Sequence, residues 1–357
     1  MTTNHNRYLD LAFQLAEKNL GKTGLNPSVG CVIVKNQSVI SSGVTSKKGR
    51  PHSEFNALNK LKNCAGATLY TTLEPCSHKG ITPPCVDIII KKKIKNVFYG
   101  FEDPDKRTFR KAKKILNQNG IVSRLIKSKK YREFYKSYFF NKKTLQPFIT
   151  GKIAISNDYY TINKKRRWIT NETSRKIVHL LRNKHDCIMS TSESINYDNA
   201  LLNCRIDGLE ANKPDLFIVD LKLKLKKNLL LNNLLSKRKT YLITLKKNLK
   251  KTHLYKKLGF KIIILNSLKY KEDFYELYKK IYKIGYSRLL VETGLTFLNN
   301  LIKNNIINDL YIFKTNINLN KNGKNNDTSL YLKKSFPKQL TINLNGDKLF
   351  KKNFNYV

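Results

Sequence analysis

Two short segments restrict this chain more than anything else in it. One is "PHSE" at Pro51–Glu54; the other is "EPC" at Glu74–Cys76, followed after "SHKGITPP" by Cys85. One imidazole and two thiols are the donor set of a catalytic zinc, which keeps three protein ligands and one open position for water. Side chains two apart do not share a helix face. His52 and Glu54 therefore reach one point only where the chain turns into a helix, and Pro51 marks such a turn. Cys85, after Pro83 and Pro84, also stands at a predicted helix start, where the helix dipole favours thiolate. Gly80 and the two prolines shape the loop between the cysteines into one wall of a pocket.

On this reading His52, Cys76 and Cys85 are metal ligands, with one Zn2+ for the unit that carries them. Glu54 stays outside the metal shell and is the catalytic residue, taking a proton from water and returning it to the substrate. His78 offers a fourth ligand on paper, which would make the zinc structural. A buried histidine beside two unrelated core thiols is the plain alternative.

The rest of the chain alternates strand and helix signals, which implies α/β layers. Residues 1–145 carry apolar strand runs at "CVIVK", "VISSGVTS", "ATLYTTL", "NVFYG" and "IVSRL", with helices near 6–20, 53–63, 84–93, 107–119 and 131–143. Leu9, Ala12, Phe13, Ala16 and Leu20 fall on one face of the first helix. The polar "NKKTLQPF" with Pro147 marks the boundary, and 147–357 forms a second α/β unit. Its strands are "FITGKIAIS", "CIMST", "LFIVD", "TYLIT", "KIIIL", "RLLVE" and "LYIFK", with helices near 171–183, 272–284 and 295–304. The stretch 221–237 gives no readable period.

The formal charge is +44 in 357 residues. Lysine is spread along the whole chain together with Asn, Ile and Tyr, as biased composition would give. No base-reading module interrupts it, so a nucleic-acid partner is not expected; the charge favours solubility and small phosphorylated ligands. No apolar run approaches the ~20 residues of a membrane helix. The first residues lack a signal pattern, and six cysteines in this length do not suggest a disulfide scaffold. A cytoplasmic, reducing setting is expected. Oligomeric state stays open, a homo-oligomer included.

"LNPSVGCVIV", "PHSE", "TLEPCSHKGITPPC" and "FEDPD" resemble the deaminase half of the bifunctional riboflavin-biosynthesis deaminase–reductase family. The resemblance implies a cytidine-deaminase-like three-layer fold, a small phosphorylated pyrimidine substrate, and substrate binding at Asn26, which also reads as a turn former before Pro27. Ser53 stands where that family usually has alanine, and Ile81 where arginine is common.

The second half has no G-x-G-x-x-G and no Walker loop. "GKIAISNDYY", the segment from "RRWIT" to "LLNCR", and "RLLVETGLTFLNNLI" resemble the reductase half of the same family, which has a dihydrofolate-reductase-like α/β fold. The likeness implies NADPH as cofactor, contacted by Ala154, Trp168, Ser194, Asp198, Gly294, Leu295 and Thr296. It implies substrate contacts at Arg182, Leu202, Arg205 and Glu292. Side chains cannot donate hydride, so such a reduction requires a cofactor. Read alone, Arg182 also fits a solvated helix cation, Trp168 a core residue, Asp198 a turn former and Glu292 a helix cap. The family's S-L-D-G appears as Ser156-Asn157-Asp158-Tyr159, and its serine-bearing loop before "WIT" becomes Lys164-Lys165-Arg166-Arg167. The expected activity is zinc-dependent deamination followed by NADPH-dependent reduction. The alternatives are a deaminase with a decayed reductase half, and an RNA-directed zinc deaminase with a basic RNA-binding C-terminal half.

Overall fold

A computed structural model describes residues 3–127, 131–326 and 338–354. The chain divides into two compact units, Met1–Leu145 and Gln146–Val357.

The first unit runs α1 (Thr3–Glu17), β1 (Gly30–Lys35), β2 (Ser38–Val44), α2 (Ser53–Leu58), β3 (Thr68–Thr71), α3 (Cys85–Lys91), β4 (Asn96–Tyr99), α4 (Lys111–Gln118), β5 (Val122–Leu125) and α5 (Arg132–Thr144). Its five strands lie in the order β2-β1-β3-β4-β5. β1 is antiparallel to β2 and β3, while β3, β4 and β5 are parallel. Alternation along the strands divides the core. Cys31, Ile33, Leu69 and Val97 pack with Ala57 and Leu58 of α2, Val86 and Ile89 of α3, and Ala112 and Leu116 of α4. Val32, Val34 and Tyr70 meet Ala12 of α1 on the opposite face. A helix layer on each face of one sheet is the three-layer arrangement expected.

Leu9, Ala12, Phe13 and Ala16 of α1 are all buried, as their spacing predicts. A Cβ on Gly30 would collide with the Ala12 carbonyl, so only glycine admits α1 this close to the sheet. Helix ends differ from the sequence reading. Leu20 falls beyond α1, in a turn that includes the left-handed Gly21. The helix expected from 107 starts only at Lys111, because Arg110 is left-handed at φ 57°.

The second unit runs β6 (Phe148–Ile155), β7 (Tyr160–Asn163), α6 (Glu172–Asn183), β8 (Cys187–Thr191), α7 (Ser192–Asp198), β9 (Asp215–Val219), β10 (Thr240–Leu245), α8 (His253–Lys257), β11 (Lys261–Leu265), α9 (Lys271–Ile284), β12 (Arg288–Glu292), α10 (Leu295–Lys303), β13 (Asp309–Lys314), β14 (Gly323–Asn326) and β15 (Lys348–Asn353). Eight strands form one sheet in the order β11-β10-β9-β8-β12-β6-β13-β15, and β14 pairs with β7 separately. All neighbours in the large sheet are parallel except β13 and β15. One face packs against Phe274, Leu277, Tyr278 and Ile281 of α9 and Leu295, Leu298 and Leu301 of α10. The other receives Ile195 of α7 and Tyr255 of α8, with Val178 of α6 against Phe313. The unreadable 221–237 stretch folds as turns around a 3-10 segment at Leu230–Leu234, burying Leu225, Leu229, Leu231 and Leu234. Among the described residues, no helix is long and apolar enough to cross a membrane.

Candidate functional site

His52 is the N-cap of α2, with extended backbone at φ −71° and ψ 161°. One residue of non-helical backbone followed by the first helical turn lets His52 and Glu54 project toward a common point. Cys76 lies beyond the end of β3, and Cys85 is the first residue of α3. His52 Nδ1 lies 3.5 Å from Cys76 Sγ and 3.4 Å from Cys85 Sγ, and all three donor atoms fall within 4.8 Å of one another. A tetrahedral ion with ordinary Zn–N and Zn–S bonds needs its ligands roughly 3.5 Å apart, so the donor set fits zinc. His78 is not part of this cluster. Its Nδ1 meets Thr108 Oγ1 at 3.0 Å, so the ligand count is three, as in catalytic sites.

The two thiols divide: Cys85 is pushed well up by its hydrogen bond with Cys76 and by burial, against the thiolate that its helix start favours. The Cys76 thiol is drawn well below the ordinary range, first by its hydrogen bond with Cys85 and then by His52. The Cys85 backbone N–H also donates to Cys76 Sγ at 3.2 Å. Glu54 is buried, and that burial raises its proton affinity against the opposing pull of His52. Ser53 Oγ donates to Glu54 Oε2 at 3.0 Å, and Cys85 Sγ lies 3.5 Å from the same oxygen. A buried carboxylate inclined to hold a proton, touching the ligand set, suits proton transfer.

Supporting residues fix these turns. Glu74 is buried and accepts from the backbone N–H groups of Asp103, Arg110 and Ala112 at 3.2, 3.1 and 3.2 Å. It thereby ties the ligand loop to the segment before α4. Asn26 Nδ2 donates to the Gly49 carbonyl at 3.0 Å, holding the loop that delivers His52.

In the second unit Ala154 lies near the end of β6, Ser194 in the helix after β8, and Glu292 and Gly294 at the end of β12, the carboxyl ends at which open parallel sheets bind ligands. Arg182 and Glu292 pair with each other, Nε to Oε1 at 2.6 Å and Nη2 to Oε2 at 2.9 Å, while Nη1 donates to the Asn203 carbonyl at 3.0 Å. Arg182 is therefore neither a solvated helix cation nor free. Despite its burial, Glu292 is held below the usual carboxylate range by that guanidinium. Ser194 and Gly294 also meet, the Gly294 N–H donating to Ser194 Oγ at 2.9 Å. Gly294 caps α10, whose first turn includes the buried Leu295 and the exposed Thr296. Backbone amides in such a turn have no intrahelical partners and face outward to an anion. Ala154 packs beside Val178 and Phe313. Asp198 ends α7, and burial lifts its carboxyl while Arg167 and Lys152 oppose the lift.

Trp168 is 48% exposed, not core, and the guanidinium groups of Arg167 and Arg175 lie over its ring at 4.8 and 5.1 Å. Leu202 is buried in a left-handed conformation at φ 47°. Arg205 is exposed, with its Nη1 donating to Asn203 Oδ1 at 2.6 Å. Tyr159 adopts φ 67° and carries Lys314 over its ring at 4.7 Å, so tyrosine accepts a left-handed turn that favours glycine.

Lys152 escaped the sequence reading. It lies on β6 directly in register with Glu292 on β12. Burial pulls its ammonium below the usual lysine range, with Glu292 opposing and Arg182 adding repulsion. The available signal was a lysine inside the apolar strand "FITGKIAI", since buried lysines are rare.

Comparison with known proteins agrees with both units. Residues 2–101 match the cytidine and deoxycytidylate deaminase zinc-binding region, and residues 147–318 match the RibD C-terminal domain. The riboflavin biosynthesis protein RibD of Actinobacillus pleuropneumoniae is 31% identical over 311 residues, covering 86% of this chain and 82% of that protein. RibD of Buchnera aphidicola is 34% identical over 327 residues, 86% and 85% of the two chains. The solved structure of Acinetobacter baumannii RibD superposes with a TM-score of 0.81 at 25% identity, covering 98% of each chain. With a zinc-region fold ahead of a reductase fold and this extent of likeness, the chain belongs to the RibD family, the bifunctional deaminase–reductases of riboflavin biosynthesis.

Proposed function

We propose that residues 1–145 hydrolytically remove the 2-amino group of 2,5-diamino-6-ribosylamino-4(3H)-pyrimidinone 5′-phosphate. Residues 147–357 then reduce 5-amino-6-(5-phosphoribosylamino)uracil to its ribitylamino product with NADPH. The observation that carries this reading is the three-donor cluster of His52, Cys76 and Cys85, with Glu54 beside it and outside it.

His52, Cys76 and Cys85 would hold the zinc. When bound, such an ion makes water nucleophilic near neutral pH. Glu54 accepts the proton that the attacking water loses and delivers it to the ring nitrogen; it then takes the second proton, from the added hydroxyl, and gives it to the departing amine, which leaves as ammonia while the carbonyl forms. Its burial supports this, because a carboxylate of raised proton affinity takes a proton more readily than an exposed one and can still return it. Asn26 orients the pyrimidine while its amide fixes the loop at Gly49.

In the second unit, NADPH would supply the hydride when bound. Ser194, Asp198, Trp168, Ala154 and the Gly294–Thr296 turn form the cofactor side, and Arg205, Leu202, Glu292 and Arg182 the substrate side. Lys152, a lysine of lowered proton affinity next to Glu292, is placed to give up a proton to the sugar as its ring opens.

The test is a coupled assay with the diaminopyrimidine phosphate, with and without NADPH. Ammonia release is expected in both arms and NADPH oxidation only in the second. Glu54→Gln should keep one zinc per chain and lose ammonia release by roughly 100- to 10,000-fold; release near the parent rate overturns the role of Glu54. Tight binding of the deaminated intermediate without NADPH oxidation would identify a decayed reductase half.

A further inference from the structure

Arg50 stands two residues before the ligand His52, and its Nη1 donates to Thr82 Oγ1 in the loop that joins the two cysteine ligands. That bond ties the approach to one ligand to the loop between the others. It leaves Nη2 uncommitted, and Arg50 has no carboxylate partner among the described residues. The other end of the residue is equally fixed. Asn26 Nδ2 holds the Gly49 carbonyl at 3.0 Å, and the Gly49 N–H donates to the Ser46 carbonyl at 2.9 Å. A half-buried guanidinium held rigidly at the rim of a metal site, with no anion of its own, is preorganised for one supplied by a ligand.

Gly80 shows where that anion would sit. A Cβ built on it would lie 3.6 Å from Arg50 Nη2 and 3.8 Å from His78 Nε2. Two nitrogens thus converge on a point that glycine leaves open. His78 is oriented for this, since Nδ1 is engaged by Thr108 Oγ1 at 3.0 Å and Nε2 faces the point. Neighbouring Ile81 is 88% exposed and contributes no charge. A doubly charged oxyanion is the ligand chemistry that a guanidinium and an imidazole satisfy together.

We propose that Arg50 is a specificity-determining residue of the deamination, binding the substrate's 5′-phosphate over Gly80 with His78 as its partner. The proposal rests on the reading of this unit as a deaminase of a phosphorylated pyrimidine, and adds the residue that distinguishes the nucleotide from its nucleoside.

The experiment uses the zinc-loaded full chain and measures ammonia release from the diaminopyrimidine phosphate and from its dephosphorylated nucleoside. Arg50→Gln should raise KM for the phosphate form roughly 10- to 100-fold. It should leave kcat, zinc content and the nucleoside's kinetics unchanged. Equilibrium dialysis of the phosphate form against Glu54→Gln and Glu54→Gln/Arg50→Gln should show the same loss without turnover. An unchanged KM overturns the proposal. So do equal losses on phosphate and nucleoside, which would make the Thr82 tether merely structural, and so does loss of zinc. If the parent enzyme releases no ammonia from the phosphate form, the deaminase reading itself fails. If it does so and Arg50→Gln matches it, only the phosphate role fails.

Discussion

His185 precedes β8 with its ring fully enclosed. Nδ1 donates to the Leu181 carbonyl at 2.6 Å, and buried Nε2 has no partner. Burial, with Arg288 adding repulsion, pulls its pKa down to about 3. An unfolded histidine titrates near 6.5. Between these values the unfolded chain holds the extra proton, so stability falls as pH drops through that window and is fully present above it. A single such group gives a slope of about 1.4 kcal/mol per pH unit. His185→Gln, compared with the parent by urea denaturation from pH 6.5 to 4, should remove about that slope whatever it does to absolute stability. Identical slopes would show that His185 titrates normally. The residue scale also explains what a sequence reading catches. His52, Glu54, Cys76 and Cys85 were legible because metal chemistry fixes residue type and count. Nothing in the pattern around His185 separates it from a surface histidine, since its enclosure comes from α6 and from residues about a hundred positions away.

The link between α6 and β12 is the bidentate pair of Arg182 and Glu292, whose side chains are only 12% and 7% exposed. Removing one partner of a buried pair strands the other charge, which costs about 3–5 kcal/mol, whereas removing both is far milder. Arg182→Met should therefore destabilise the second unit by that amount, and Arg182→Met/Glu292→Gln should recover most of it in chemical denaturation. If the double variant is as unstable as the single, the pair does not hold the two elements together. Long apolar runs such as "CIMST" and "RLLVE" were readable as strands because parallel strands inside a sheet are buried on both faces. Shorter or more polar elements were not. α7 has seven residues, four of them Ser, Asn or Asp, and depends on the Thr191 side chain accepting from the Ser194 N–H. β15, "KLFKKN", lies at the sheet edge beside β13, and three lysines in six residues hide the alternation. Lys152 was overlooked because its meaning lies in register. Only strand pairing brings it opposite Glu292, 140 positions later.

At the scale of the whole molecule, the charge of +44 and the two constellations pose one question: how the product of the first unit reaches the second. A strongly basic surface raises the local concentration of a phosphorylated intermediate without any dedicated tunnel. Each unit has its own core and its own set of chemical groups, so disabling one should leave the other intact. Glu54→Gln should still oxidise NADPH with the deaminated intermediate. Lys152→Met should still release ammonia, while losing most NADPH oxidation and keeping cofactor binding. Mixed together and given the diaminopyrimidine phosphate, the two variants should form the ribityl product at a rate set by diffusion of the free intermediate. That rate should weaken as salt screens the surface over a Debye length of about 8–10 Å. If each variant retains its half-reaction while the mixture makes no product, the intermediate must pass directly within one chain. Diffusive capture by a basic surface would then be the wrong account of why the two activities share a polypeptide.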